Sequence, residues 1–147
     1  MFRKLIATTP TWITVPVRIG LGLVFIGHGA QKVLGAFGGF DGKGGGLSQF
    51  MAGSAPLGLR PAGLWLGAAA VSELIGGILV FLGLLTRLGA ALIACVMLVA
   101  IIGVHWPNFF APKGMEEPLA LLAMALALII AGGGQVSIDQ MLIHGRR

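Results

Sequence analysis

The sequence predicts an all-α membrane protein, an antiparallel bundle of four transmembrane helices with a glycine-rich outer loop and a short interfacial helix between helices 1 and 2. Three observations carry that expectation. The chain is 56% hydrophobic and only 10% charged, has no tyrosine and has a mean hydropathy of +0.96, outside the range of soluble globular domains. Its apolar residues come in continuous runs rather than in alternating segments of about ten residues, so helices and not barrel strands would satisfy the backbone in hydrocarbon. Four runs approach the ~20 residues a span requires, at about 12–34, 61–85, 87–106 and 116–135. The expected organisation is one transmembrane domain over 1–147.

The first run follows Arg3 and Lys4, as a signal peptide would, but it is too long and lacks a small-residue cleavage site. An uncleaved signal anchor is expected. Toward its far end His28, Gln31 and Lys32 fall at i, i+3 and i+4 and share a face. Gly20 with Gly27, and Gly22 with Gly29, repeat at sevenfold spacing and predict close helix packing.

Residues 35–46, GAFGGFDGKGGG, are too rich in glycine for helix or strand and are expected to be the most mobile segment. Gly42 and Lys43 resemble part of a phosphate loop. Phe37 stands where its first glycine belongs and Gly44 where Ser or Thr belongs, which argues against nucleotide binding. Leu47, Phe50 and Met51 at i, i+3 and i+4 then predict a helical turn on the membrane surface before Pro56, either a lid or an anchor.

The second run holds a lone Glu73, roughly 18 Å below Pro61 at ~1.5 Å per residue. A carboxylate at that depth costs several kcal/mol unless it faces protein, so it marks a functional site by default. Its neighbours Ala69, Ala70, Gly76 and Gly77 leave a notch for another backbone, which turns Glu73 toward the bundle. Gly63 and Gly67 form a further small-residue pair.

The connection at about 84–87 is so short that the second and third helices must form an antiparallel hairpin, with Arg87 marking the inner surface. Cys95, the only cysteine, excludes an intramolecular disulfide or cysteine-pair relay and is expected to behave as a buried small apolar residue. Trp106 and Pro107 end the third helix, and Phe109 and Phe110 extend an aromatic belt. Pro118, after Glu116 and Glu117, suits the first turn of the fourth.

An even number of spans puts both termini on one side. With the N-terminus inside, Arg3, Lys4, Arg18, Arg87, Arg146 and Arg147 lie inside against Lys32, Lys43, Arg60 and Lys113 outside, and this six-to-four excess predicts cytoplasmic termini. The basic balance, with a pI near 10.4, suits orientation and anionic lipid and gives no reason to invoke nucleic acid.

That topology gathers His28, Lys32, His105 and Glu117 in the outer third of the bundle, with Glu73 toward the middle. Three readings stay open. Glu73 could pair with His28 or Lys32 in a network that only fixes helix register. The layer could instead form a pocket for a small polar or quinone-like headgroup, with His and Glu as hydrogen-bonding or proton-transfer groups. A metal or haem site would use His28 and His105 as axial ligands, but neither has a second ligand at close spacing, so no metal site is assigned. His144, in the basic tail, is given no chemistry.

The stretches RIGLGLVFIGHGAQKVLGAFGG, SELIGGILVFLGLLTRLGA, VHWPNFF, EEPLALL and GGGQVSID, in this order, resemble the DoxX family over nearly the whole chain. The resemblance implies a small four-span protein of the bacterial inner membrane linked to redox or oxidative-stress systems. A related branch supplies a subunit of thiosulfate:quinone oxidoreductase, which makes quinone the implied ligand. The family's polar positions correspond to His28, Gln31, Lys32, Glu73, Arg87, His105 and Glu117. The chain carries no flavin or nicotinamide fingerprint and no cysteine pair, so the expected oxidoreductase role is that of a membrane subunit served by a redox partner protein. A second copy of the chain is a further candidate partner. The alternative class is a non-enzymatic scaffold or a small-solute transporter.

Overall fold

The protein is described by a computed structural model covering residues 2–110, 112 and 114–144, with side chains from residue 4 onward. Lys113, Arg146, Arg147 and the side chain of Arg3, all used in the orientation argument, lie outside the described residues.

The described chain is helical and contains no strand. In order it forms α1 (Phe2–Leu5), α2 (Thr14–Leu34), α3 (Leu47–Met51), α4 (Ala62–Leu82), α5 (Thr86–Ala100) continued by a π turn (Ile101–His105), α6 (Glu116–Ala131) and α7 (Ile138–His144). Two of these segments, Ala62–Leu82 and Thr86–His105, are long and apolar enough to cross a membrane. α2 has 21 residues but carries Arg18, His28 and Lys32, and α6 has only 16.

Glycines set the helix ends. α2 stops at Gly35 (φ 70°) and α4 at Gly83 (φ 67°), both in the left-handed region that L side chains avoid. The second run was expected to stay helical to 85; the Gly83 amide instead bonds back to Val80 O at 3.1 Å and turns the chain into α5. α6 likewise stops at Gly132 (φ 78°) rather than reaching 135.

α2 packs on α4, α4 on α5, α5 on α6 and α6 on α2. α2 and α4 run in opposite directions, since Gly22 meets Phe81, Gly77 meets Phe25 and Ile26, and Gly29 meets Leu74. A Cβ on Gly29 would lie 2.5 Å from the Leu74 backbone, so the helices touch there almost backbone to backbone. The two sevenfold glycine pairs are therefore not equivalent. Gly22 and Gly29 line the contact, whereas Gly27 has nothing within 4 Å of a would-be Cβ. Gly63 and Gly67 do not join two long helices but receive the Met51 side chain from α3.

The core takes Leu21 and Phe25 from α2, Val80 from α4, Ile93 from α5, and Leu122 and Leu128 from α6. Large apolar side chains also point outward: Leu64, Ile102 and Ile130 are 60%, 57% and 77% exposed, an arrangement that suits lipid rather than water. Cys95 belongs to this exposed set, contrary to the expected burial, because its face of α5 turns away from the neighbouring helices.

The 35–46 loop, expected to lack regular structure, contains a 3-10 turn (Ala36–Gly38) and a bridge between Gly39 and Gly45. Asp41 organises it. Its Oδ1 accepts from the amides of Lys43 at 3.0 Å and Gly45 at 3.3 Å, and its Oδ2 from Gln49 Nε2 at 2.5 Å. The glycines supply conformations that the aspartate then stabilises.

Candidate functional site

Glu73 is 4% exposed, and Lys32 Nζ donates to both of its carboxylate oxygens at 2.6 Å. The pairing follows from the helix contact. Gly29 brings α2 down onto Leu74, and the next turn of α2 places the Lys32 stem beside α4 where Glu73 projects. Gly77, one turn further, lies against Phe25 and Ile26 and leaves room for that approach, whereas Gly76 faces Gly89 and Ile93 of α5. A pair this enclosed has lost most of its hydration, so each charge depends on the other.

α3 covers the pair. The Phe50 ring centroid lies 5.4 Å from Lys32 Nζ, a cation–π distance, and Phe40 meets Phe50 edge to face with centroids 5.1 Å apart. Met51, seated against Gly63 and Gly67, fastens α3 to α4. The helical turn predicted from Leu47, Phe50 and Met51 thus forms, with Phe50 over Lys32 and Met51 packed on α4 at Gly63 and Gly67.

The remaining expected residues are more dispersed. Gln31 is half-buried beside Lys32 in the chain, and His28 is exposed. The contact line of α2 runs through Gly22, Phe25 and Gly29, and one residue is about 100° of helical rotation, so His28 falls off that line. The hydrogen bonds to Glu73 come from Lys32 rather than His28. His105 is half-buried at the end of the π turn, and Glu117 is exposed in the first turn of α6. Arg87 ties elements together: its Nε donates to Ala7 O at 2.8 Å and its Nη2 to Ile130 O at 2.9 Å.

A second polar cluster, not foreseen from the sequence, closes the opposite end. Arg18, counted above only as an orienting charge, is 4% exposed and donates to Gly133 O at 3.0 Å and Val136 O at 2.9 Å. Asp139 is 1% exposed and accepts from Leu85 N at 2.7 Å, Thr86 N at 2.9 Å and Thr86 Oγ1 at 2.7 Å. A signal for it existed. α5 follows Leu84 and Leu85 with no capping side chain of its own, so its first amides need an acceptor from elsewhere.

An open groove of about 630 Å³ runs along 53–62 beside Arg60, and its lining includes neither Lys32 nor Glu73. Among the described residues no group of three or more His, Cys, Asp or Glu side chains could hold a metal ion. The Lys32 ammonium and the Glu73 carboxylate are instead a donor and an acceptor set side by side in apolar surroundings, able to hydrogen-bond a carbonyl oxygen and to give or take a proton.

Comparison with known proteins agrees with the resemblance. The chain is 31% identical over 135 residues, 91% of its length and 90% of the relative's, to the Bacillus subtilis (strain 168) protein named "Putative oxidoreductase CatD". No solved structure matches. The DoxX family model matches residues 13–106, from the residue before α2 through the residue after the π turn, a stretch that includes Lys32, Phe50, Glu73 and Arg87, and the chain belongs to the DoxX family.

Proposed function

We propose that the protein is a four-span component of a redox system in a bacterial inner membrane, and that the ion pair of Lys32 and Glu73 faces a quinone headgroup. The observation that carries this reading is the pair itself, a buried acid and base held 2.6 Å apart between largely apolar helices. Family membership and the oxidoreductase relative support a membrane redox-related role.

α2 and α6 supply the two further spans. Arg18 is buried and Lys32 nearly so, so α2 shows little charge to lipid, and α6 covers ~24 Å of a ~30 Å hydrocarbon core, within what local thinning accommodates. With both termini cytoplasmic, the ion pair lies in the outer half and Arg18, Arg87 and Asp139 at the inner end. Gln31, His28, His105 and Glu117 are secondary candidates at the outer end. Lys32 would donate to a quinone carbonyl oxygen and Glu73 would exchange a proton with it. The two electrons of quinone reduction would come from a partner redox protein, and the quinol's second proton, with the one that resets Glu73, from water.

Binding of a short-chain ubiquinone analogue to the protein in lipid nanodiscs tests this. Glu73→Gln and Lys32→Gln should each weaken binding by about 1.5–3 kcal/mol, the loss expected for a hydrogen bond to a charged group. Wild-type binding by both variants, correctly folded, would leave the pair a structural fastening within a scaffold. The engagement of both Glu73 oxygens by Lys32 is the observation that favours that second reading.

A further inference from the structure

We infer that the space above Lys32 Nζ is a site for a flat, carbonyl-bearing ring, and that Phe50 fills it as an internal stand-in that controls entry. This rests on the quinone reading above and names the residue that would select and gate the ligand.

The donor count points there. A lysine ammonium has three N–H groups, and the two carboxylate oxygens of Glu73 take two. What faces the ammonium from α3 is the π face of Phe50, 5.4 Å away. A quinone ring entering in its place would give up the cation–π contact, since its carbonyls draw electron density from the ring, but a ring carbonyl would accept a charge-assisted hydrogen bond from the ammonium, which a phenyl ring cannot. The exchange therefore favours a conjugated ring bearing oxygen over an alkyl chain or a plain aromatic ring.

The covering element is built to move as a unit. The backbone hydrogen bonds of the α3 segment run within it, from Phe50 N to Gly46 O, Ala52 N to Gln49 O and Gly53 N to Phe50 O. Glycines bracket it at 44–46 and at 53. Its ties to the rest include three side chains, Phe50 over Lys32, Met51 against Gly63 and Gly67, and Gln49 to Asp41, together with the close approach of the Met51 main-chain oxygen to Gly63. Beside Phe50, a cavity of about 40 Å³ is bounded by Phe40, Asp41, Gly45 and Gln49. Neither Lys32 nor Glu73 lines that cavity; the Phe50 ring itself occupies the face of the ammonium, so Phe50 must leave for a ring to enter there.

Two measurements on the full-length protein in nanodiscs test the inference. The first is affinity for a short-tailed dimethoxybenzoquinone, with an alkylbenzene of the same tail as comparator, in wild type, Phe50→Ala and Phe50→Trp. The second needs no quinone: acylation of Lys32 by a small amine-reactive reagent, read by mass spectrometry. Phe50→Ala should bind the quinone at least tenfold more tightly and Phe50→Trp at least tenfold more weakly, with no comparable gain for the alkylbenzene. Lys32 acylation should rise severalfold in Phe50→Ala. Quinone binding equal in all three proteins, or weakened by Phe50→Ala, overturns the gate and leaves the quinone reading standing. Faster acylation with no quinone binding in any variant overturns the ring site together with that reading.

Discussion

Asp139, in the first turn of the last helix, caps a helix that begins more than fifty residues earlier: its Oδ2 accepts both the backbone amide of Thr86, at 2.9 Å, and the Thr86 hydroxyl, at 2.7 Å. Its Oδ1 takes the Leu85 amide at 2.7 Å. The C-terminal segment is thereby bonded to the turn between α4 and α5, and Arg18 holds the same segment from α2 through Gly133 O and Val136 O.

Replacing Asp139 by alanine orphans two backbone amides and a hydroxyl in a buried site. We expect Asp139→Ala to lower stability by about 1–3 kcal/mol, with Thr86→Val costing about 0.5–1.5 kcal/mol because the amide bonds survive. Unfolding by detergent titration reads both. Equal, wild-type-like midpoints would refute the capping role.

The ion pair predicts non-additivity. Lys32→Met or Glu73→Leu alone strands a buried charge and should cost about 3–5 kcal/mol, whereas the double variant should cost less than either single one. The same titration measures the cycle, and additive losses would show that the two groups are not coupled.

Two glycines of one helix should respond in opposite ways. Gly29→Ala puts a Cβ 2.5 Å from the Leu74 backbone and should destabilise by about 1–3 kcal/mol through forced separation of α2 and α4. Gly27→Ala meets nothing within 4 Å and should be neutral or stabilising by up to about 1 kcal/mol, the helix-propensity gain. Similar effects at both positions would contradict the packing line.

Orientation is tested with single cysteines in a Cys95→Ala background. A cysteine at Lys43, which is exposed in the loop after α2, should react with an impermeant thiol reagent added outside intact cells; one at His144, exposed at the end of α7, should react only after permeabilisation. The reverse pattern would invert the topology and move the ion pair to the cytoplasmic half.

Much of the candidate site was legible because its residues stand out against apolar surroundings. Glu73 is alone in its run, its small neighbours predict an inward aspect, and Lys32 was one of two partners proposed for it. Choosing Lys32 over His28 required the rotation of α2 about its axis, which depends on which glycines touch α4. The part played by Phe50 was half visible, as one residue of a short apolar face. Arg18 and Asp139 were missed as structural groups because a charge near the end of a run reads as an orienting or solvated residue until a tertiary contact buries it.

The sequence by itself determined that this chain is helical and apolar, where its long helices lie to within a few residues, and that Glu73 is the ionisable group whose burial needs an explanation. Those properties follow from local composition and periodicity, to which each residue contributes whatever its distant neighbours do. The tertiary structure decided which charges meet, which glycines are contacts, which residue closes over Lys32 and what caps α5. Each of these depends on side chains far apart in the chain, such as Lys32 with Glu73 or Thr86 with Asp139, and on helix rotations of less than one residue, which periodicity does not resolve.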